Sequence, residues 1–317
     1  MAKTTGLGSR FAVGGYDISG DTQSLGKIAT GGNKTLDMTD ITESAFERQL
    51  GEFGGQWSWT SFFNRTGAHV PLSALPRTDV QMMFAAGTAI GTDAACMVAK
   101  QIGYDPTRAT DGSLTLGVAG QSNGFGYEWG KLVTPWLRTD SAATNGTSFD
   151  SGAGVAAPSV PASLTPVTNS SPMPVTVVIS GGTMTNVSIG GVTVGAGAGT
   201  YTLPAGAAIT LTYTVAPTWT WTVSTAFGAQ MYLQVMAFTG TDATVTVQDS
   251  ADNSTFTNVA SGSFAQVTTG PQAQRIALTN TATVRRYLRV ATTTSGGFSS
   301  LKFAVVVCRN LVSGVAF

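Results

Sequence analysis

Apolar and polar residues alternate with a period of two along much of the chain, the spacing of a strand buried on one face. The alternation is clearest in Gln56-Trp-Ser-Trp-Thr-Ser-Phe-Phe, Ser113-Leu-Thr-Leu-Gly-Val-Ala-Gly, Ile209-Thr-Leu-Thr-Tyr-Thr-Val and Trp219-Thr-Trp-Thr-Val. Up to about Asp140 the pattern predicts strands from Phe11, at Gln56–Phe63, Val80–Ala85, Ala94–Tyr104 and Ser113–Gly120. Two stretches break the period. Thr42-Glu-Ser-Ala-Phe-Glu-Arg-Gln-Leu predicts a short helix, with Thr42 as N-cap, Glu43 in the first turn, and Phe46 and Leu50 four apart on one face. Gly51, Gly54 and Gly55 would end it. Val70-Pro-Leu-Ser-Ala-Leu-Pro predicts one or two helical turns closed by Pro76. The sum is an α+β region, mostly strands.

A second region, about Val155 to Thr225, opens with the linker Ala157-Pro-Ser-Val-Pro-Ala. Strands are predicted at Val175–Ile179, Thr185–Ile189, Tyr201–Leu203, Ala208–Thr214 and Trp219–Val223. Turns fall at Gly181-Gly182, Gly190-Gly191 and Pro204-Ala-Gly206. Thr lines one face and large apolar groups the other, as in a small antiparallel β-sandwich module with a Thr-coated surface. A third region, about Gly228 to Phe317, carries strands at Met231–Ala237, Ala243–Gln248, Phe256–Val259, Gln274–Leu278, Arg286–Ala291 and Ser300–Cys308, read as one β-sandwich or jelly roll.

Composition adds self-association to this picture. Only 11% of the 317 residues are charged, against about 25% in an ordinary domain. So little charge leaves little repulsion between copies. Lys+Arg and Asp+Glu are 17 each, which removes any net pull toward nucleic acid. The charges are uneven: residues 1–150 carry 11 basic and 14 acidic groups, residues 242–317 carry 6 and 3, and Ser151 to Thr241 carries none. Uncharged strand edges need cover from a neighbour or another subunit. Without a signal peptide or an apolar run near ~18 residues, Cys96 and Cys308 read as buried free thiols made in a reducing cytoplasm.

No catalytic, cofactor or metal site is expected. His69 is the only histidine, with no Cys or second His beside it and no Gly-x-Ser-x-Gly elbow in the chain. Gly195-Ala-Gly-Ala-Gly199 lacks the Gly-Lys-Ser/Thr ending of a phosphate loop and reads as a turn. Asp249-Ser-Ala-Asp252-Asn253-Ser is the best calcium candidate, but Asp and Asn also dominate ordinary turns. Arg285, Arg286 and Arg289 split between two faces of a strand, which suits a solvated edge or an ion pair with a neighbouring subunit. The i, i+2 pairs Trp57/Trp59 and Trp219/Trp221 read as core, with Trp129 and Trp136 between them in the chain.

The segments Thr42-Glu-Ser-Ala-Phe-Glu-Arg, Gly54-Gly-Gln-Trp-Ser-Trp-Thr-Ser-Phe-Phe-Asn and Leu72-Ser-Ala-Leu-Pro resemble the tube-forming domain of major tail proteins of long-tailed, non-contractile bacteriophages. Met97-Val-Ala-Lys-Gln-Ile-Gly-Tyr-Asp-Pro-Thr-Arg, Asp111-Gly-Ser-Leu-Thr and Asn123-Gly-Phe-Gly-Tyr-Glu-Trp-Gly are similar to a subgroup from phages of actinobacteria. Tyr232-Leu-Gln-Val, Thr246-Val-Gln-Asp-Ser-Ala-Asp-Asn-Ser-Thr-Phe and Arg286-Tyr-Leu-Arg-Val-Ala-Thr-Thr resemble the C-terminal domain of that subgroup and, more weakly, galactose-binding-like jelly rolls.

The resemblance implies a mainly β chain: a tail-tube β-sandwich or barrel domain with one or two short helices over 1–140, then two β-sandwich-like modules. In simpler relatives Ser148-Phe-Asp-Ser-Gly and Ala226-Phe-Gly-Ala-Gln are adjacent, so 155–224 is an insertion into a sandwich built from 145–154 and 225–317. It further implies a non-enzymatic virion subunit, made in the host cytoplasm. Copies would stack as hexameric rings around a mildly acidic lumen through which DNA slides without specific binding. Partners would be further copies, tape measure and tail completion proteins, and, for the outer modules, host surface glycans. The alternative is a capsid decoration protein or glycan-binding adhesin built on the jelly roll; a hydrolase lacks paired catalytic groups.

Overall fold

A computed structural model describes residues 6–31, 33–39, 47–74, 78–151, 158–170, 174–204, 206–223, 228–250 and 253–309. The protein is mainly β, organised in several sheets, with one short helix among the described residues.

The first region contributes β1 (Arg10–Val13), β2 (Tyr16–Asp17), β3 (Thr22–Thr30), β4 (Asn33–Asp37), β5 (Arg48–Phe53), β6 (Gln56–Phe62), α1 (His69–Ser73), β7 (Val80–Ala85), β8 (Asp93–Arg108), β9 (Leu114–Leu132) and β10 (Arg138–Asp140). The Trp-x-Trp alternation of β6 puts Trp57, Trp59 and Ser61 inside and the residues between them outward. Phe11 packs edge-on against Trp59 with ring centroids 4.8 Å apart. Leu72 of α1, Met82, Met97, Leu116 and Val118 complete this first core.

The helix predicted over Thr42–Leu50 is corrected by β5: Arg48, Gln49 and Leu50 are strand residues paired with Asp37, Leu36 and Thr35. The i, i+4 spacing of Phe46 and Leu50 fits a helix, but a cross-strand partner far along the chain decides the conformation of Leu50. Thr42 to Phe46, and with them the cap, lie outside the described residues, as does Pro76. The second helical piece is the single turn α1.

The chain then forms β11 (Phe149–Asp150), β12 (Pro166–Thr168), β13 (Val175–Ser180), β14 (Thr183–Ile189), β15 (Val192–Gly195), β16 (Gly199–Leu203), β17 (Ala208–Val215) and β18 (Thr218–Val223). Strands β12 to β18 make two sheets of their own, ordered β12-β17-β14-β15 and β16-β13-β18. Val175, Val177, Leu203, Leu211, Trp219 and Trp221 are buried between them. All five strands predicted in this region are present; β12 and β15, only three and four residues long, were too short to carry an alternation.

The last strands are β19 (Ala229–Gly240), β20 (Thr244–Ser250), β21 (Thr257–Ser263), β22 (Gln272–Ala277), β23 (Tyr287–Thr293) and β24 (Phe298–Arg309). One sheet runs β11-β23-β20-β21. The largest sheet has eleven strands and joins the first region to the last through the path β2-β1-β7-β8-β9-β24-β19-β22. Its joint is β9. The N-terminal half pairs with β6, and Lys131 and Leu132 at the far end pair with Val307 and Val306 of β24. Among the described residues this sheet does not close into a barrel.

Both faces of the large sheet are used. One face of β19 and β24 packs on β20 and β23 through Met231, Leu233, Val245, Val290, Phe303 and Val305. The opposite face, with Tyr232, Ala304 and Val306, meets Ala12, Met83, Cys96, Leu132 and Trp136 in a further core. Gln234 fastens the roll: its Oε1 accepts the Gly15 N–H at 2.6 Å and its Nε2 donates to the Gln81 carbonyl at 3.2 Å.

Candidate functional site

The residues that stand out chemically lie at the free edges of the first region. Among the described residues, strands β4 and β5 form a two-stranded sheet of their own. At the base, Gly31 has φ +140°, and a Cβ there would fall 2.2 Å from the Gly54 carbonyl oxygen, so only glycine lets the two strands leave side by side. Toward the tip, Met38 N–H donates to the Glu47 carbonyl at 2.9 Å, and Asp37 accepts from the Thr39 hydroxyl and amide. Those two bonds hold the Asp37 carboxyl below its ordinary value. Leu36 and Met38 are 51% and 56% exposed. A two-stranded ribbon with apolar side chains in solvent is marginal alone and gains from cover by a third surface.

The second edge belongs to β3, which among the described residues pairs with β6 on one side and with no strand on the other. A cleft of about 390 Å³ separates it from β1, lined by Ser9, Arg10, Phe11, Ser19, Leu25 and Phe84 among others. Among the described residues the Arg10 Nε is buried there without a hydrogen-bond partner. A buried guanidinium nitrogen left bare is costly, and a carboxylate or carbonyl entering the cleft would satisfy it. A third exposed feature is the outer face of the β16-β13-β18 sheet. Thr200, Thr202, Val178, Thr218 and Thr220 point outward in register, and the Ser180 and Thr218 hydroxyls are 2.9 Å apart.

The residues singled out in the sequence are accounted for locally. His69 sits on α1 with Nδ1 2.5 Å from the Tyr104 hydroxyl and its ring 4.7 Å from that of Phe63. The Gly195–Gly199 turn is closed by Tyr201, whose hydroxyl donates to the Gly197 carbonyl at 2.7 Å. Asp249 is buried and accepts the Arg285 N–H at 2.7 Å, and Asn253 is left-handed with φ 59°, the geometry of a turn; Asp252 lies outside the described residues.

Each member of the arginine cluster has a partner within the chain. Arg286 forms a two-pronged pair with Asp150 at 2.8 and 2.7 Å. Arg289 donates to Gln248 and lies 4.1 Å over the Phe256 ring, and Arg285 stands 3.9 Å from Asp249. Both i, i+2 tryptophan pairs are buried, Trp136 also, and Trp129 is exposed. No group of three or more His, Cys, Asp or Glu with metal-holding geometry occurs among the described residues.

Known proteins do not narrow this further. No protein family matches the chain, and no curated protein does either. Among the described residues no helix is long and apolar enough to cross a membrane.

The polar clusters that local sequence gave no sign of lie at the joints. Arg138 donates to both oxygens of Asp140, at 2.9 and 2.7 Å, and to the Val290 and Thr144 carbonyls; both charged groups are buried. Arg275 bonds Glu128, Tyr232 and Gln230 at 3.1, 2.9 and 3.0 Å. Burial, then the adjacent Glu128 charge, pushes the Tyr232 hydroxyl far above its ordinary value. These groups have their partners already and serve as fasteners rather than reagents.

Proposed function

We propose that this protein is a structural subunit of a phage tail tube, assembling with copies of itself into stacked rings that form the conduit for DNA ejection. The β4–β5 ribbon carries the reading: a pair of strands that forms a sheet of its own among the described residues and bears exposed Leu36 and Met38 is built to lie on another surface. The open cleft beside β3, with the bare Arg10 Nε, offers a second place where a neighbouring copy fits. The sequence resemblance over the first region supports the same reading. In it, the Thr-faced module and the sandwich of β19–β24 decorate the outside, and tape measure and tail completion proteins meet the ends of the tube.

Electron microscopy of the purified full chain tests it. Rings or tubes of constant diameter are expected, lost when Leu36 and Met38 are both changed to Asp. A monodisperse monomer across concentration, salt and pH would overturn it. A second reading, a glycan-binding or capsid-decorating virion protein, is favoured by the uncharged Thr face. Binding of neutral glycans to an array by the unassembled full chain, lost on Thr200→Lys and Thr220→Lys, would favour it.

A further inference from the structure

The chain has two Asn-Gly pairs, Asn123-Gly124 and Asn145-Gly146, and the fold treats them differently. In this dipeptide the backbone nitrogen of the glycine reaches the asparagine side-chain carbonyl carbon with least hindrance, because glycine puts no Cβ in the way. Asn123-Gly124 lies where the ladder between β8 and β9 is broken. Met97 pairs with Tyr127 and Ala99 with Ser122, which leaves residues 123–126 opposite Val98 alone, a bulge of four residues against one. Asn123 and Gly124 are both exposed. Gly124 has φ +81°, and a Cβ there would meet no atom of the described residues within 4 Å. Asn123 Nδ2 donates to Asp79 Oδ1 at 2.8 Å, and Lys100 Nζ stands 2.8 Å from the same oxygen.

Asn145-Gly146 is enclosed. The Gly146 N–H donates to the Val290 carbonyl at 2.9 Å, Asn145 bridges to Ala291, and a Cβ on Gly146 would fall 2.2 Å from Nη1 of the buried Arg138. For the Gly146 nitrogen to turn on its neighbour, the backbone bond must break first and the segment must open locally.

We propose that in the folded protein Asn123, and not Asn145, is a site of spontaneous deamidation, a slow covalent change that turns a neutral side chain of the β9 bulge into a carboxylate. The Gly124 backbone nitrogen attacks Asn123 Cγ. The new N–Cγ bond closes a succinimide ring, the Cγ–Nδ2 bond breaks, and Nδ2 leaves as ammonia with the proton given up by the Gly124 amide. Water then adds to one of the two ring carbonyls and reopens the ring, to aspartate at one carbonyl and to isoaspartate at the other. One water is consumed, one ammonia is released, and no electrons are transferred. The product sets a carboxylate beside that of Asp79 in place of a hydrogen-bond donor, with Lys100 between them as the one counter-charge this pair already shares. The isoaspartate form also carries the main chain through Cβ and lengthens the bulge. The chemistry needs no second copy, and each converted copy gains one negative charge at the β8–β9 ladder.

The test is peptide mapping by mass spectrometry of the full chain, aged in mildly alkaline buffer both folded and in urea. In urea the two pairs are chemically alike and should convert at similar rates. In the folded chain Asn123 should keep a rate close to its urea value, while Asn145 should slow at least about tenfold, roughly what one broken backbone hydrogen bond is worth. The Asn123 peptide should appear as aspartate and isoaspartate together, the mark of the ring. Ion exchange of the aged native protein should show a more acidic form, reproduced by Asn123→Asp and missing from Asn123→Gln. An Asn123 that stays intact in the folded chain while it converts in urea, equal folded rates at the two asparagines, or aspartate without isoaspartate would overturn the proposal. The wild-type rates decide the matter even where a variant fails to fold.

Discussion

The small sandwich of β12–β18 and the double-faced sheet around β9 solve the same packing problem with different materials. The sandwich sits in a stretch without a single Asp, Glu, Lys or Arg. Its side chains bond to backbone rather than to charges: Tyr213 donates to the Pro161 carbonyl at 2.5 Å, Trp219 to that of Pro158 at 2.7 Å, and Asn169 to that of Leu203 at 3.2 Å, while the Trp221 Nε1 is buried without a partner among the described residues. The large sheet instead has buried charges at its joints: Arg138 with Asp140, Arg275 with Glu128, and Arg309, whose desolvation draws its guanidinium down to about 10. A free-standing sandwich needs only hydrophobic layers and satisfied hydroxyls. A sheet that must fold back on itself at one place needs directional contacts, which wrong arrangements leave unpaired.

The contrast breaks most visibly at Arg138. Arg138→Ala leaves Asp140 buried without its partner and should cost about 3–5 kcal/mol in chemical denaturation. If the cost is near zero, the buried charges do not hold the joint. Leu211→Ala in the sandwich should cost about 2–4 kcal/mol, because a two-layer module can partly collapse onto the void. Calorimetry should show it moving a separate transition; a common shift of the whole protein would merge the two regions into one unit. Gln234→Ala strips the Gly15 amide of its partner, leaves the Gln81 carbonyl the Gly14 amide alone, and should cost about 1–3 kcal/mol, all of it in the large-sheet transition.

A smaller effect depends on pH. Asp242 accepts bonds from the Ser295 and Thr294 hydroxyls and the Ser295 and Gly296 amides, with Ser295 the strongest influence, which holds its carboxyl well below the ordinary range. Its folded value lies below its unfolded one. The stabilisation is therefore complete above about pH 4, the unfolded value, and is lost as pH falls from there through the folded value. Asp242→Asn should be less stable than wild type at neutral pH and converge with it in strong acid, as read by denaturant midpoints across pH. The sandwich, with no Asp, Glu or His, should show no acid-range slope of its own. Smallest of all for stability, Leu36→Asp should change the denaturation midpoint by no more than about 0.5 kcal/mol while reducing association in sedimentation.

Period-two alternation made the mainly β class and most strands legible, because each buries one face and its own sequence carries that demand, but it missed β3 and the far half of β9. The tryptophan pairs read as core for the same reason, and both are buried. What local pattern missed was set by partners far along the chain. Leu50 became a strand residue because Thr35 lies across from it. The bond that Asp249 accepts from the Arg285 amide, 36 residues on, had no sign in the turn sequence around it. The missing charges hinted that strand edges in 151–241 need cover, but the open edges of β3 and the β4–β5 ribbon lie in the charged first region and depended on the sheet order.

The place of β24 also sets a timetable for synthesis. It lies between β9 and β19, and Ala304, Val306 and Cys308 cover Met83, Cys96, Leu132 and Trp136. Those four side chains leave the ribosome long before Phe298 does. At about 5–20 residues per second the interval is on the order of ten to thirty seconds. For that time the growing chain carries an uncovered apolar face on an otherwise formed sheet. A nascent copy is thus stickiest before it is finished, and whatever shields it in the cell must act during translation rather than after release.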